Sequence, residues 1–219
     1  WLRLPDGERP RFLMLYFRGA DKVGHTEGPD SPELKARLKE IDAVLGGLVD
    51  SVRALPNAAD ISLLFVTDHG MVEVKKMINL DALWDREKLT GKYVTSGPVA
   101  NVFEPDAAKQ DKILAALATV PELKAWRAAD LPTEFRYRHA RSGDIVALAN
   151  EGNMFKDSAK GRDVIYTAKE PRGMHGYPGD QPAMHGFCLL IGAGFRPGVT
   201  LERASVLDIH PTVCALLGI

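Results

Sequence analysis

The most regular hydrophobic pattern of the chain is a short apolar run that is followed directly by ligand-type residues. Residues 61–67 are mostly apolar or β-branched, with an unbroken apolar stretch from Leu63 to Val66. This pattern predicts a strand buried on both faces, as in a parallel sheet. Asp68 and His69 come next, at the strand end where open α/β sheets bind their ligands. They are therefore candidate site residues, with an ordinary turn as the alternative interpretation.

A second apolar run and an amphipathic pattern precede that strand. Residues 12–17 repeat the buried-strand pattern, and residues 32–55 carry apolar side chains at steps of three and four, which predicts a long helix. Strand, helix and strand in this order predict a right-handed βαβ unit whose strands end at one sheet edge. Asp21 and His25 follow the first strand at i, i+4 spacing, with a solvated loop as the alternative. One edge is thus expected to collect Asp21, His25, Asp68 and His69.

The pattern changes character between residues 93 and 170, where short strands surround one helix. This arrangement predicts a small α+β insert beside the main sheet. We therefore expect a catalytic core in two parts, residues 1–92 and 171–219, separated by the insert. The elements predicted within the insert are strands at 99–103, 144–149 and 163–166 and a helix at 106–120.

A long loop rich in glycine and proline, residues 171–186, carries two Met-His-Gly copies. His185 leads directly into residues 187–191, which are predicted to form a third buried strand. His175 lies within the loop and can fold over the sheet edge. We therefore favour His175 as the third histidine ligand, with His185 as the alternative. His210 precedes Pro211 at the start of the last predicted helix and is interpreted as a helix-start residue.

Composition excludes several classes of function. The chain has 219 residues, a net charge of −1 and 45% hydrophobic residues, which is ordinary for a globular protein. The charge gives no argument for nucleic-acid binding, and no apolar run approaches the roughly 20 residues of a membrane span. Both cysteines lie in apolar surroundings without a CxxC pattern, and we expect buried thiols rather than metal ligands. The basic stretch 136–141 is interpreted as a solvated edge, with a phosphate contact as the alternative.

The candidate site combines two aspartates and three histidines. Such ligands suit Zn²⁺ and related cations, and five of them are too many for one tetrahedral ion. The set therefore predicts two ions, roughly 3.5–4 Å apart in sites of this kind. Two ions clamp the attacking and leaving oxygens of a displacement at phosphorus, so phosphoryl or sulfuryl transfer is the expected chemistry. The predicted ligands are Asp21, His25, Asp68, His69 and His175.

Taken together, these motifs resemble the nucleotide pyrophosphatase/phosphodiesterase family of the alkaline phosphatase superfamily. The resemblance runs nearly end to end and covers the C-terminal half of the family's catalytic domain. It implies an alkaline phosphatase-like α/β fold: three αβα layers, a mostly parallel sheet, a small α+β insert and an incomplete N-terminal half. The segments that carry it are Tyr16-Phe17, Asp21-x-x-Gly24-His25, Thr67-Asp68-His69-Gly70-Met71, Gly97-Pro98-Val99-Ala100-Asn101 and His175-Gly176-Tyr177.

The resemblance also implies roles for the ligands. Asp21, His25 and His175 would hold one Zn²⁺, and Asp68 and His69 the other, with other divalent cations compatible with the same groups. The implied activity is two-metal hydrolysis of phosphodiester or nucleotide pyrophosphate bonds. The family's Thr or Ser nucleophile belongs to an earlier strand–helix segment, so we expect it outside this chain, which begins at Trp1 and is expected to be part of a longer protein.

Other functions stay open on the sequence. A different nucleophile region would make the parent protein a phosphatase, a sulfatase or a phosphate-shifting mutase. This chain alone is alternatively a metal-binding half-domain, inactive by itself, whose partner is an N-terminal fragment of the same protein. Residues 18–20 depart from the acidic residues usual in the family, so the small substrate stays open among nucleotides, dinucleotides, nucleotide sugars and choline-type lipids. The family's habit favours the periplasm or the cell exterior.

Overall fold

The structure, a computed structural model, describes residues 1–156, 163–170 and 172–219. Part of the predicted insert (157–162) and one loop residue (171) therefore lie outside the described residues. None of the described helices has the length and apolarity that crossing a bilayer requires.

The α-helices are α1 (Gly19–Glu27), α2 (Pro32–Arg53), α3 (Leu80–Glu87), α4 (Ala107–Leu117) and α5 (Ile209–Leu217). The strands are β1 (Ser62–Val66), β2 (Val72–Glu73), β3 (Lys76–Ile78), β4 (Lys92–Ser96), β5 (Val99–Phe103), β6 (Leu123–Arg127), β7 (Ile145–Ala149), β8 (Asn153–Phe155), β9 (Ile165–Thr167), β10 (Gly173–Met174) and β11 (Cys188–Gly192).

The described residues form two compact units. The division predicted from the sequence, at residues 93 and 170, stays a prediction. The first unit contains Trp1–Ala20, Lys35–Asp68 and Gly186–Ile219, and the second contains Asp21–Leu34 and His69–His185.

In the first unit the predicted strands at 61–67 and 187–191 form a pair, β1 with β11. The pair is antiparallel, with Ser62 opposite Gly192 and Val66 opposite Cys188. The expectation of parallel strands is therefore wrong for this pair, because a continuous apolar run specifies burial but not strand direction. Burial on both faces is also wrong: β1 is half-buried, Val66 is 46% exposed and Cys188 is an exposed thiol.

The strand predicted at residues 12–17 does not join any sheet of the described residues. Its apolar side chains are exposed, with Met14 at 82%. A strand needs a neighbouring backbone to hydrogen-bond, which the apolar pattern alone cannot supply, so the expected βαβ unit is not formed. Its helix is confirmed as α2, and Ser31 caps it, since Leu34 N donates to Ser31 Oγ at 3.1 Å.

The second unit is built around a four-stranded antiparallel sheet in the order β4-β5-β7-β6. The strands predicted at 99–103 and 144–149 are confirmed as β5 and β7, and the predicted helix is confirmed as α4. Asp106 caps this helix, and its carboxylate accepts from Ala108 N at 2.9 Å. Side chains alternate between the sheet's faces. Ala100 and Ala147 point to one face, where they are fully buried against the apolar side of α4 and α3. Val146 and Leu148 lie on the other face.

Two smaller sheets complete the second unit. Strand β3 pairs with β8 in parallel and with β9 in antiparallel orientation, while β2 pairs with β10. The β2–β10 ladder has only two residue pairs, Gly173 with Glu73 and Met174 with Val72. The ladder matters for the site because of its neighbours in the sequence. His69-Gly70-Met71 directly precedes β2, and His175 directly follows β10.

Candidate metal centre

The β2–β10 ladder places two of the candidate histidines side by side. His69 lies three residues before β2, and His175 immediately follows β10. Because the two strands are paired, the histidines at their ends are brought together although they are far apart in sequence. Their rings stack with centroids 3.5 Å apart and an interplanar angle of 16°.

Asp21 and His25 come from α1, which is a helix and not the solvated loop kept as the alternative. The i, i+4 spacing puts both side chains on one helix face, and His25 Nε2 lies 3.3 Å from Asp21 Oδ1. Gly24 between them is buried, and a Cβ at this position would lie 2.4 Å from the Met71 sulfur. The absent side chain therefore lets α1 approach Met71 closely.

The centre of the cluster is one carboxylate oxygen, Asp21 Oδ1. The Nε2 atoms of His25, His175 and His69 lie 3.3, 3.5 and 4.0 Å from it. The Asp21 side chain is 44% exposed as a whole, yet Oδ1 itself is buried and accepts no hydrogen bond from any described residue. A buried carboxylate oxygen is costly unless a positive charge or a donor compensates it. Protons on the rings, or a bound cation, would supply that compensation.

Backbone carbonyls fix the proton position on two of the rings. His25 Nδ1 lies 2.7 Å from Gly173 O, and His69 Nδ1 lies 2.8 Å from Gly70 O. A carbonyl oxygen only accepts, so each ring donates from Nδ1 and, when neutral, presents the Nε2 lone pair to the cluster. Metal-ligating histidines are oriented in this way by their outer hydrogen bond.

The donor set therefore fits a divalent cation. One ligand atom from each of three residues lies within 4.8 Å of the others: Asp21, His69 and His175. His25 completes the group through its approach to Asp21. Carboxylate oxygen and neutral imidazole nitrogen are ligands that Zn²⁺ accepts, and both are present without cysteine.

Among the predicted site residues, the second unit thus brings together Asp21, His25, His69 and His175. Asp68 is the last residue of the first unit, and its assignment as a ligand stays a prediction. His185, the alternative to His175, is exposed and is not part of the cluster of described residues. His210 lies in α5, with its ring near Cys214 Sγ at 3.8 Å.

Sequence reasoning missed the two groups that orient His25 and His69, because both are backbone carbonyls. Gly173 is the informative case. A Cβ there would lie 2.3 Å from the Met71 sulfur and 2.4 Å from Gly24 O, so only glycine fits between β10 and α1. A glycine two residues before His175 is the one sequence signal that could have indicated this close approach.

Tyr177 anchors the loop that carries His175. Its side chain is buried, and its hydroxyl donates to Asn153 O at 2.8 Å. Burial raises the pKa of the Tyr177 hydroxyl well above its ordinary value of about 10, and the nearby Glu151 carboxylate raises the pKa further. The hydroxyl therefore stays neutral in the folded protein and keeps its proton for Asn153.

Replacing Tyr177 with phenylalanine is expected to lower the free energy of unfolding by about 1 kcal/mol at pH 8, because one buried hydrogen bond is lost. The folded-state pKa is raised, so this stabilisation is present below about pH 10 and declines as the pH rises above it, when the unfolded tyrosine ionises. The difference between wild type and Y177F should therefore shrink between pH 10 and 11 in urea unfolding. Tyr16→Phe, at an exposed tyrosine, is the control. A pH-independent difference for Y177F would contradict the assignment.

Comparison of the sequence with known protein families identifies the class of protein to which this fold and site belong. The model of the type I phosphodiesterase/nucleotide pyrophosphatase family matches residues 1–178. The chain therefore belongs to this family, as the resemblance of its motifs implies.

Among its curated relatives is the human bis(5′-adenosyl)-triphosphatase, which is 29% identical over 95% of this chain and 44% of the relative's length. Human ectonucleotide pyrophosphatase/phosphodiesterase family member 5 is 30% identical over 94% of this chain and 42% of its own length. Their names are those of hydrolases of phosphate bonds. The chain spans less than half the length of these relatives.

Solved structures agree with the sequence relatives. Human ectonucleotide pyrophosphatase/phosphodiesterase 5 superimposes with a TM-score of 0.78 at 29% identity, covering 94% of this chain and 53% of that chain. An inactive variant of the murine protein in complex with AMP gives the same TM-score and coverage at 30% identity. These matches confirm the predicted α/β fold of the alkaline phosphatase type.

Proposed function

We propose that the protein hydrolyses phosphodiester or nucleotide pyrophosphate bonds at a site holding two Zn²⁺ ions. Its nucleophile, a Thr or Ser, belongs to polypeptide outside these 219 residues. Family membership supports the reaction class. The observation that carries the metal assignment is the buried Asp21 Oδ1, which faces three imidazole nitrogens and accepts no hydrogen bond from the described residues.

In this proposal Asp21, His25 and His175 hold one ion, and Asp68 and His69 hold the other. The 4.0 Å separation between His69 Nε2 and Asp21 Oδ1 supports neighbouring sites. When bound, such ions act as Lewis acids that neutralise charge on the phosphoryl oxygens and favour the deprotonated form of an attacking oxygen.

The chain's own residues prepare this site. The carbonyls of Gly173 and Gly70 hold the His25 and His69 rings as Nδ1–H tautomers, so Nε2 stays available as a ligand atom. The His69 and His175 rings stack and leave no room for water between them. The four side chains are 25–44% exposed, so the cluster is accessible from solvent to a small phosphate ester.

We infer nucleotides as the substrate class from the relatives. One relative is named for a triphosphate that carries two adenosines, and a related structure is a complex with AMP. A place of action in the periplasm or outside the cell belongs to the same proposal and is supported by the names of the ectonucleotide pyrophosphatase relatives. A complete active site would pair this chain with an N-terminal fragment of the same protein.

Metal content and hydrolysis of chromogenic esters test the proposal. The complete protein, comprising this chain and the segment that carries the nucleophile, is expected to retain about two zinc ions per molecule after dialysis against excess Zn²⁺. It should hydrolyse bis(p-nitrophenyl) phosphate faster than p-nitrophenyl phosphate or p-nitrophenyl sulfate. Faster hydrolysis of the monoester would indicate a phosphatase, and faster hydrolysis of the sulfate a sulfatase. Absence of bound zinc would overturn the metal assignment.

The second candidate function is a metal-binding half-domain that is inactive by itself. The exposed apolar side chains of residues 12–17 favour it, because contiguous exposed apolar surface marks a site of interaction. Zinc binding without hydrolysis by this chain, followed by activity on adding an N-terminal fragment of the same protein, would establish this function.

A further inference from the structure

The side chain of Met71 lies between the two elements that carry candidate ligands, α1 and β10. A Cβ on Gly24 of α1 would lie 2.4 Å from the Met71 sulfur, and a Cβ on Gly173 of β10 would lie 2.3 Å from it. Because a carbon–carbon bond is about 1.5 Å long, the sulfur is within about 4 Å of both glycine Cα atoms, which is van der Waals contact. One thioether therefore separates the helix from the strand.

Backbone lies on both sides of this sulfur. Gly24 is buried in α1 and Gly173 is buried in β10, so rotation of a side chain at either residue cannot relieve the contact. The two backbones also approach each other, since a Cβ at Gly173 would lie 2.4 Å from Gly24 O. In a close-packed interior a shift on one side is passed on to the other. The width of the Met71 thioether therefore sets the separation of α1 from β10.

This separation controls the geometry of the candidate ligands. Gly24 directly precedes His25, and Gly173 lies two residues before His175. The Gly173 carbonyl accepts from His25 Nδ1 at 2.7 Å across the gap that Met71 fills. A hydrogen bond weakens steeply when its distance or angle changes, so a small movement of α1 relative to β10 would release the His25 ring.

The chemistry of methionine suits this position. Its side chain is unbranched and ends in a polarizable thioether, which fills a narrow gap that a β-branched or aromatic side chain would overfill. Met71 is half-buried, and its sulfur reaches inward to both glycines. The two glycines and the methionine thus form one set, in which each residue fits because of the size of the other two.

We propose that Met71 is a positioning residue of the metal cluster. Its thioether holds α1 at the distance from β10 at which Gly173 O meets His25 Nδ1, and at which His25 Nε2 faces Asp21 Oδ1. Met71 acts through His25 and not on an ion or a substrate. The inference rests on the proposed function, since the groups that Met71 positions are the zinc ligands proposed there.

Paired substitutions at Met71 and Gly24 test this role in the complete protein, by zinc titration with a competing chelator. Met71→Ala should weaken zinc binding about 10–100-fold, because His25 is no longer held by the Gly173 carbonyl. Gly24→Ala should weaken it to a similar extent, because the added methyl group takes the place of the sulfur and displaces α1. In the double variant the methyl group occupies space that the sulfur has left. The double variant should therefore bind zinc at least about tenfold more tightly than G24A.

Two comparisons make the recovery specific. Gly173→Ala should not be rescued by Met71→Ala, because its methyl group also meets Gly24 O, which the second substitution leaves in place. Met154→Ala is the matched control, at a half-buried methionine on β8, which belongs to a different sheet from β2 and β10. It should lower the free energy of unfolding and leave the zinc affinity within about twofold of wild type.

The ring nitrogens of His25 in the zinc-free protein provide a readout that a loss of packing alone would not change. At a pH at which the rings are neutral, two-bond ¹H–¹⁵N spectra should show His25 as the Nδ1–H tautomer in wild type. Both tautomers should be populated in M71A and in G24A, and the Nδ1–H tautomer should predominate again in the double variant. M154A should resemble wild type.

Losses of zinc affinity that simply add in the double variant, or a His25 ring that keeps the Nδ1–H tautomer in both single variants, would overturn the inference. The recovery compares G24A with the double variant, so it decides the question even where M71A does not fold. The two proposals fail separately. Absence of zinc from wild type would remove the proposed function, while the His25 tautomer would still decide the role of Met71. Zinc binding with additive losses would remove only the role of Met71.

Discussion

Replacing His175 with alanine is expected to lower the zinc affinity by at least about 100-fold, because even the loss of an outer-shell partner costs about 10–100-fold. The imidazole of His175 lies 3.5 Å from Asp21 Oδ1 and stacks on His69, so its removal takes away one proposed ligand and the support of a second. In the complete protein, which includes the proposed nucleophile segment, hydrolysis of bis(p-nitrophenyl) phosphate should fall with the bound metal. Zinc titration with a competing chelator measures the affinity, and the initial rate measures activity.

The matched control is His185→Ala, which alters the second Met-His-Gly copy at an exposed position. It should keep both zinc affinity and activity within about twofold of wild type, since exposed substitutions away from special features have small effects. If H175A retained two zinc ions and full activity, His175 would not be a ligand. If H185A lost metal instead, the choice between the two histidines would be reversed.

Replacing Gly173 with alanine should weaken zinc binding about 10–100-fold without altering any ligand. The added methyl group would lie 2.4 Å from Gly24 O and 2.3 Å from the Met71 sulfur. One of these contacts is with backbone, so β10 or α1 must move. That movement displaces the Gly173 carbonyl from His25 Nδ1 and frees the ring to rotate. Overpacking of this kind also costs about 1–3 kcal/mol of stability.

Gly179→Ala provides the comparison, because a Cβ at that loop position meets no atom within 4 Å. It should leave zinc affinity and the free energy of unfolding unchanged. The two readouts separate a positioning role from a purely structural one. A G173A protein that is destabilised in urea yet binds zinc as tightly as wild type would show that the carbonyl does not orient His25.

Local patterns predicted the elements whose signals are contained in a few neighbouring residues. Helix α2 begins at Pro32 as predicted, and α4 begins within one residue of its predicted start. Their caps, Ser31 and Asp106, bond to backbone within three positions, so the signal for each start is local. Strand β5 matches its predicted bounds. The predictions that were wrong concern non-local pairing: residues 12–17 join no described sheet, and β11 runs antiparallel to β1.

The sequence by itself determined the family and the chemical types of the candidate ligands, because motifs such as Asp68-His69 and His175-Gly176-Tyr177 are local and specific in combination. Only the tertiary structure decided that three imidazoles converge on one buried oxygen of Asp21, and that the carbonyls of Gly173 and Gly70 leave the Nε2 atoms of His25 and His69 facing that oxygen. The reason is physical: a carbonyl is present in every residue, so its role depends on which strand pairs with which. Here the pairing is that of β2 with β10, a ladder of two residue pairs that has almost no signal of its own in the sequence.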